Sequence, residues 1–203
     1  MKSKFFSGQT GTGKTHGMIK EGVKDYILGR TLFSNMQSIK NIPYYYVDLE
    51  DLILMVQDEQ LDLVDNRPKT LMLDEIHTMF DGRRSASREN IDFSIFISQC
   101  RKRRFNVYYT SQWITGADSR IRTLTNELIR CFAHYSLKDV GLGTLSEPEP
   151  IALEQITSNV IDMQENPNSY KRRRKIFPRW RNRPFYKFYD TFEVIRPVES
   201  YAV

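Results

Sequence analysis

Residues 8–15 read Gly-Gln-Thr-Gly-Thr-Gly-Lys-Thr, which is the complete G-x-x-x-x-G-K-[ST] pattern of a phosphate-binding loop. Its glycines let backbone N–H groups curl around an anionic phosphate where a Cβ atom would clash. Lys14 is predicted to reach the β- and γ-phosphates of a nucleotide, and the Thr15 hydroxyl to ligate Mg²⁺. The residues predicted to contact the nucleotide are Gly8, Gln9, Thr10, Gly11, Thr12, Gly13, Lys14, Thr15 and His16.

A second group of reactive residues ends the apolar run from Lys69 to Leu73, where Asp74 and Glu75 follow each other. Asp74 is predicted to hold Mg²⁺, directly or through water, and Glu75 to activate the attacking water as general base. A strand followed by an acidic helix cap would give the same local pattern. The phosphate-binding loop upstream favours nucleotide hydrolysis over that alternative.

The elements around these residues are predicted in the order that such a site requires. Lys2 to Phe6 is a short strand candidate, and Lys14 to Leu28 suits a helix whose positive N-terminal end faces the phosphates. Thr31 to Asn35 is another strand, and Lys69 to Leu73 suits a buried parallel strand that delivers acids to the sheet edge. The predicted fold class is therefore α/β, a P-loop NTPase with a mostly parallel sheet flanked by helices.

A polar pair, Ser111 and Gln112, follows the β-rich run from Phe105 to Thr110. Such NTPases keep a γ-phosphate sensor at the tip of a strand between the two motif strands, so Gln112 is the first candidate and Ser111 the second. A plain polar strand end is the alternative. A helix is predicted before this strand, from Ile91 to Arg103, because its apolar residues recur at helical spacing.

The length of 203 residues suits one α/β domain with a real core. Residues 1–140 are predicted to form the ATPase core, and residues 141–203 a short basic C-terminal extension packed on it. Within this extension no long helix is predicted, and Pro184 to Arg196 is expected to be an extended ribbon. No apolar run approaches the roughly 20 residues of a membrane span, no signal peptide is evident, and the two cysteines indicate a reduced, intracellular setting.

Positive charge is unevenly distributed along a chain whose net charge is +5 and whose pI is about 9.1. One cluster runs from Arg101 to Arg104, and another begins at Lys171 and continues past Lys175 with aromatic residues interleaved. Basic residues with aromatics suit a polyanion that carries stackable bases. A solvated basic tail or a subunit contact is the alternative.

These residues carry a resemblance to the FtsK/HerA superfamily of DNA-pumping ATPases. The early phosphate-binding loop, Leu-Asp-Glu-Ile-His at 73–77, the basic run 101–104 before a strand, and Tyr-Thr-Ser-Gln at 109–112 occur there in the same order. Within the superfamily, the chain resembles compact genome-packaging ATPases of viruses with internal membranes and is similar to Zot-like assembly ATPases of filamentous phages. The resemblance covers roughly residues 2–137.

The resemblance implies a RecA-like sheet with an extra strand between the motif strands, ATP and Mg²⁺ as cofactors, and assembly into a ring. The ring is commonly hexameric, with a pentamer as the alternative, and double-stranded DNA passes through it. An arginine finger comes from the neighbouring subunit; Arg122 is the first candidate and Arg120, Arg101 and Arg103 are the others. The candidate DNA contacts are Arg83, Arg84 and Arg88 in a basic loop at 81–90, together with Lys102, Arg172, Arg173 and Arg174.

The function that the resemblance implies is packaging of a double-stranded viral genome into a capsid by an ATP-driven translocase. Its expected location is the host cytoplasm or the virion, and a capsid or membrane protein at the packaging vertex is the expected docking partner. Zot-like proteins usually carry a membrane-spanning segment, and the lack of one here favours the packaging branch. The alternatives are a Zot-like assembly or secretion ATPase that acts on a protein partner, and a DNA helicase or replication ATPase.

Overall fold

One eight-stranded sheet organises the computed structural model, which describes residues 1–48, 50–52, 54, 67–78, 88–100, 102–116, 119–135 and 151–189. The strands are β1 (Ser3–Ser7), β2 (Thr31–Ser34), β3 (Tyr45–Tyr46), β4 (Lys69–Leu73), β5 (Phe105–Ser111), β6 (Glu127–His134), β7 (Ala152–Asn159) and β8 (Arg172–Pro178). The helices are α1 (Lys14–Ile27), α2 (Arg88–Gln99), α3 (Ser119–Thr123), α4 (Val160–Glu165) and α5 (Arg179–Tyr186).

The strand order is β3-β2-β4-β5-β1-β6-β7-β8. The pairs from β3 to β6 are all parallel, whereas β7 is antiparallel to β6 and β8 is antiparallel to β7. The predicted α/β class with a mostly parallel sheet is confirmed. The extra strand between the two motif strands is also present, because β5 lies between β4 and β1.

The central strands are buried on both faces, as expected where helices cover a parallel sheet on each side. Every residue of β4 and of β5 is buried. One core cluster includes Leu71, Leu73 and Tyr109, and the other includes Met72 and Tyr108. Successive residues of these two strands therefore feed opposite faces of the sheet.

Helix α1 lies very close to the sheet and is fixed to it at the end distant from the phosphate-binding loop. A Cβ at Gly22 would meet the sulfur of Met72, so a larger residue there would have to displace that side chain. The buried Asp25 carboxylate accepts hydrogen bonds from Thr70 Oγ1, Asn106 Nδ2 and Tyr108 OH, each 2.8 Å long. These bonds join α1 to β4 and β5.

The C-terminal segment differs from the predicted extended ribbon, because α5 continues to Tyr186 and contains Pro184. A proline has no backbone N–H, so Pro184 removes one backbone hydrogen bond from this helix of eight residues. The helix packs its Asn182 and Phe185 side chains against His16 of α1, which offsets that loss. No helix among the described residues is long and apolar enough to span a bilayer.

The helix predicted over Ile91 to Arg103 occupies Arg88–Gln99 instead. Its C-terminal end comes early because buried Cys100 must turn the chain into β5, and Arg104 takes a left-handed backbone with φ of 57°. Arg88 therefore lies in a helix and not in the expected loop at 81–90. Arg83, Arg84 and Arg101 lie outside the described residues.

His16 is the centre of the contact between α1 and α5. Its Nε2 lies 3.2 Å from Asn182 Oδ1, and the rings of Phe185, Tyr186 and Tyr189 surround it. Burial, with a contribution from nearby Lys20, lowers the pKa of His16 from 6.5 to about 4. The ring is therefore neutral in the folded protein at pH 5, where it would be protonated in the unfolded chain.

We expect His16 to make the fold sensitive to mild acid. Because its folded pKa is depressed, its contribution is complete above pH 6.5 and is lost as the pH falls towards 4. Between pH 7 and 5 the loss amounts to about 2 kcal/mol of unfolding free energy. Denaturant unfolding of the wild type and of His16→Gln at pH 7 and pH 5 measures this loss. The unfolding free energy of the variant should fall much less between the two pH values.

The control for this experiment is His134→Gln. His134 is 44% exposed and lies beside Glu154, so removing it should not reduce the acid loss. An equal loss in wild type and His16→Gln would show that His16 is not the responsible group.

Candidate functional site

The phosphate-binding loop connects the C-terminal end of β1 to the first turn of α1. Thr12 closes it on itself, since its N–H and its hydroxyl both donate to the Gln9 carbonyl, at 3.3 and 2.6 Å. Gly13 caps the helix with φ of 81°, and a Cβ there would come within 2.7 Å of the Leu153 side chain. The backbone angle favours glycine at this position, and a Cβ would also have to displace the Leu153 side chain of β7.

The Lys14 ammonium lies inside this loop. It donates to the Gln9 carbonyl at 3.2 Å and is 3.6 Å from Glu75 Oε1. The predicted phosphate-binding cation and the predicted general base thus partly neutralise each other. A triphosphate would compete with Glu75 for Lys14 and would release the carboxylate.

Thr15 and Asp74 face each other across the cleft between α1 and β4. The Thr15 hydroxyl lies 3.0 and 3.1 Å from the two carboxylate oxygens of Asp74. Hydroxyl and carboxylate oxygens are hard donors of the kind that Mg²⁺ prefers, so this pair fits the predicted metal site. Burial raises the pKa of Asp74 to about 6, with Glu75 adding to the shift, and a cation at this position would favour the ionised form.

Glu75 occupies a strained position at the end of β4, with φ of 47°. Its backbone N–H donates to Thr110 Oγ1 at 2.9 Å, which fixes the turn. Its Oε2 atom lies 3.3 Å from His77 Nδ1 and accepts no hydrogen bond among the described residues. Its other oxygen, Oε1, faces Lys14, and once a triphosphate draws that ammonium away the carboxylate can polarise a water molecule.

Two residues that the sequence analysis did not select support Asp74. Thr110 Oγ1 donates to Asp74 Oδ1 at 2.5 Å. Asn35 brackets the Asp74 backbone, accepting from its N–H at 2.8 Å and donating to its carbonyl at 2.9 Å. Both residues lie at the C-terminal ends of the strands that flank β4. This shared position is the feature of the sequence from which their role could have been predicted.

The two sensor candidates lie at the end of β5, at the same edge of the sheet: Ser111 is its last residue and Gln112 follows it. Ser111 Oγ lies 3.2 Å from His77 Nδ1 and donates to the Trp113 carbonyl at 3.1 Å. His77 thus stands between Ser111 and Glu75, a link that the sequence analysis missed. Gln112 is half-buried immediately after the strand, and its sensor role stays a prediction.

The remaining predicted site residues lie apart from this cluster. The His16 side chain points into the α1–α5 contact, which leaves only its backbone for a phosphate. Arg122 lines a cavity of about 330 Å³ with Val160 and Met163, and its Nε is buried without a described hydrogen-bond partner. Lys102 is exposed and Arg103 half-buried in the turn before β5, and of Arg120 only the backbone in α3 is described.

The residues of this site lie in the part of the chain that matches a known protein family. The family model of zonular occludens toxin (Zot) matches residues 3–145, which is most of the chain. The chain belongs to the Zot family. The match spans the phosphate-binding loop, the acids of β4 and the whole of β5 and β6 in this Zot-family chain. No curated protein matches it.

Solved structures show the same fold. The N-terminal domain of zonular occludens toxin from Neisseria meningitidis aligns over 94% of this chain and 100% of its own, with a TM-score of 0.61 and 17% identity. The genome packaging NTPase B204 of Sulfolobus turreted icosahedral virus 2, in complex with ATP-gammaS, aligns over 87% and 96%, with a TM-score of 0.53 and 11% identity. This Zot-family chain therefore has the α/β fold of a P-loop ATPase.

We expect the Thr110 hydroxyl to position both acids of the site. Thr110→Val preserves shape and removes the hydroxyl, and kcat should fall by about 10- to 100-fold. Thr110→Ser should restore most of it. Steady-state ATPase assays with a titration of Mg²⁺ measure the effect.

Thr70→Val is the matched control for this prediction. Thr70 is as fully buried as Thr110 but donates to Asp25, at the other end of α1. The Thr70→Val substitution should lower the stability of the protein and leave kcat near the wild-type value. Equal kcat losses in the two valine variants would mean that general destabilisation, and not positioning, explains Thr110.

Proposed function

We propose that this Zot-family chain hydrolyses ATP with Mg²⁺ at the cleft between the phosphate-binding loop and the end of β4. The observation that carries the proposal is the convergence of a cation, a hydroxyl and two carboxylates on one point. Lys14 lies 3.6 Å from Glu75, and Thr15 lies 3.0 Å from Asp74. Lys14 would bind the β- and γ-phosphates, Thr15 and Asp74 would hold Mg²⁺, and Glu75 would activate water.

Hydrolysis in such a site is coupled to work, and we propose that the work is movement of DNA during virus assembly. The exposed basic strand β8 supports this proposal, because a row of cations is the electrostatic footprint of polyanion binding. B204, which shares the fold, is named a DNA-packaging ATPase. Packaging of a double-stranded genome by a ring of subunits is the form of this function that the sequence predicts.

A second candidate is a Zot-like assembly ATPase that acts on a protein partner. The family match over residues 3–145 favours it. It shares the site and the nucleotide chemistry with the first candidate, and it differs in the partner that stimulates turnover. A capsid or membrane protein would take the place of DNA as the stimulating partner.

Glu75→Gln should abolish turnover and keep the nucleotide bound. The amide cannot accept the proton of water, so kcat should fall by more than about 100-fold. Removing the charge beside Lys14 also removes the competitor for that ammonium, so the affinity for ATP should be equal or higher. Single-turnover hydrolysis and binding of a fluorescent ATP analogue measure the two effects, and hydrolysis at the wild-type rate would contradict the assigned role.

The partner is identified by the ATPase rate of the wild type with duplex DNA, with single-stranded DNA and without DNA, alongside the mass in solution. We expect stimulation by DNA that weakens as salt rises, and a ring-sized assembly. An active ATPase that ignores both forms of DNA would reject the DNA motor. Stimulation by a captured coat or membrane protein would then support the assembly ATPase.

A further inference from the structure

The basic side chains of β8 are divided between the two faces of the sheet. Side chains alternate between the two faces of a sheet along each strand, so Arg172 and Arg174 share one face while Arg173 and Lys175 share the other. Arg174 forms an ion pair with Glu154 of β7, whereas Arg173 Nη2 donates to Glu127 of β6 at 3.0 Å. One run of cations in the sequence thus becomes two separate surfaces.

The face that carries Arg173 and Lys175 is the one on which α1 and α5 pack, and we call it the covered face, although these two side chains are themselves exposed at its edge. Gln155 of β7 lies against Gly17 of α1. Phe177 of β8 lies beneath Lys20, whose Nζ is 3.8 Å from the ring centroid. Asn182 of α5 donates to the Phe177 carbonyl at 3.0 Å.

On the opposite face of β6, β7 and β8 a group of side chains is exposed, and we call this part of the sheet the open face; its exposed residues are Arg130, Phe132, Arg172, Arg174 and Ile176. Register places Arg130 opposite Ile156 and Ile156 opposite Arg174, so these three side chains form one row across the strands. The next row has Phe132 of β6, Glu154 of β7 and Ile176 of β8. Phe132 is 42% exposed, Ile176 is 49% exposed and the Arg174 side chain is 64% exposed.

The polar contacts on the open face hold its cations in place. Glu154 is buried between His134, whose Nε2 is 2.7 Å from Oε2, and Arg174. Arg172 Nη2 donates to Tyr170 OH at 2.7 Å, and its guanidinium lies 4.6 Å from the centroid of the Tyr170 ring. On the described strands the open face thus carries three arginines, Arg130, Arg172 and Arg174, and one buried carboxylate, Glu154, so its net charge is positive.

We propose that the open face binds single-stranded DNA, with phosphates on Arg130, Arg172 and Arg174 and a base stacked on Phe132. The proposal rests on the function proposed above, that the ATPase acts on DNA, and it assigns a single strand to this face where the predicted form of that function is packaging of a duplex. Three strands span about 10 Å, which suits one extended strand lying across them. A duplex keeps its bases stacked inside, so it would gain from the arginines and not from the exposed Phe132 ring.

The test compares two double variants on the same strand. Arg172→Ala with Arg174→Ala removes both β8 cations of the open face, and Arg173→Ala with Lys175→Ala removes two from the covered face. Each pair deletes two charges and breaks one ion pair to a glutamate, so the second is a matched control. The probe is a fluorescein-labelled oligothymidylate of about 16 nucleotides, followed by anisotropy without nucleotide, with thermal unfolding to verify the fold.

We expect the open-face pair to weaken binding by at least about 10-fold and to lower the slope of log K against log salt by about 1.4, for two lost phosphate contacts. The covered-face pair should change affinity by less than about twofold. Phe132→Leu should weaken binding of the single strand by about 10-fold, leaving its salt slope and duplex affinity unchanged.

Three outcomes would overturn the proposal while the DNA motor stands. Equal losses in the two double variants would mean that only the total charge of β8 matters. Unchanged binding in the open-face pair, with a smaller assembly, would show that a second copy of the chain occupies this face. Duplex DNA that binds as tightly as the single strand and responds equally to Phe132→Leu would exclude a single-strand site. If the wild type binds and responds to no DNA at all, the proposed function fails together with this inference.

Discussion

The buried carboxylate of Asp74 is the point on which the rest of the site depends. An ionised carboxylate is costly to bury without hydrogen bonds, and here hydroxyls from two other elements supply them, Thr15 from α1 and Thr110 from β5. Asn35 of β2 fixes the same residue through its backbone. Through its side chain and its backbone, Asp74 therefore joins α1, β2, β4 and β5, and these contacts also fix the position of Glu75, the next residue.

The parallel and the antiparallel strands of the sheet have different roles. The parallel strands carry the proposed nucleotide site, because their C-terminal ends meet at one edge and bring the loop, the acids and Thr110 together. The antiparallel strands β7 and β8 present a cationic surface beside that edge. Leu153 against Gly13 and the contact of His16 with Asn182 join this surface to the nucleotide site, so displacement of α1 by a nucleotide would also reach β7 and α5.

The C-terminal segment shows where local sequence signals fail. Pro184 and scattered basic residues predict an extended ribbon, but burial of Asn182 and Phe185 against His16 stabilises a helix instead. Likewise the apolar spacing from Ile91 onward predicts a helix to Arg103, and the chain leaves the helix earlier because Phe105 must begin a strand beside β4. In both cases tertiary packing outweighs a weak local preference.

The sequence by itself determined the nucleotide chemistry, since a phosphate-binding loop and an acid-tipped strand are short patterns whose residue types are dictated by the atoms that they must contact. The family resemblance that the sequence carries also implied a strand between the motif strands, and β5 occupies that position. Only the tertiary structure decided that Thr110 and Asn35 support Asp74 and that His77 links Ser111 to Glu75. It also decided that Arg172 and Arg174 lie on the opposite face of the sheet from Arg173. Those relations depend on strand register and on which face of the sheet the helices cover, and both are set by contacts between residues far apart in the chain.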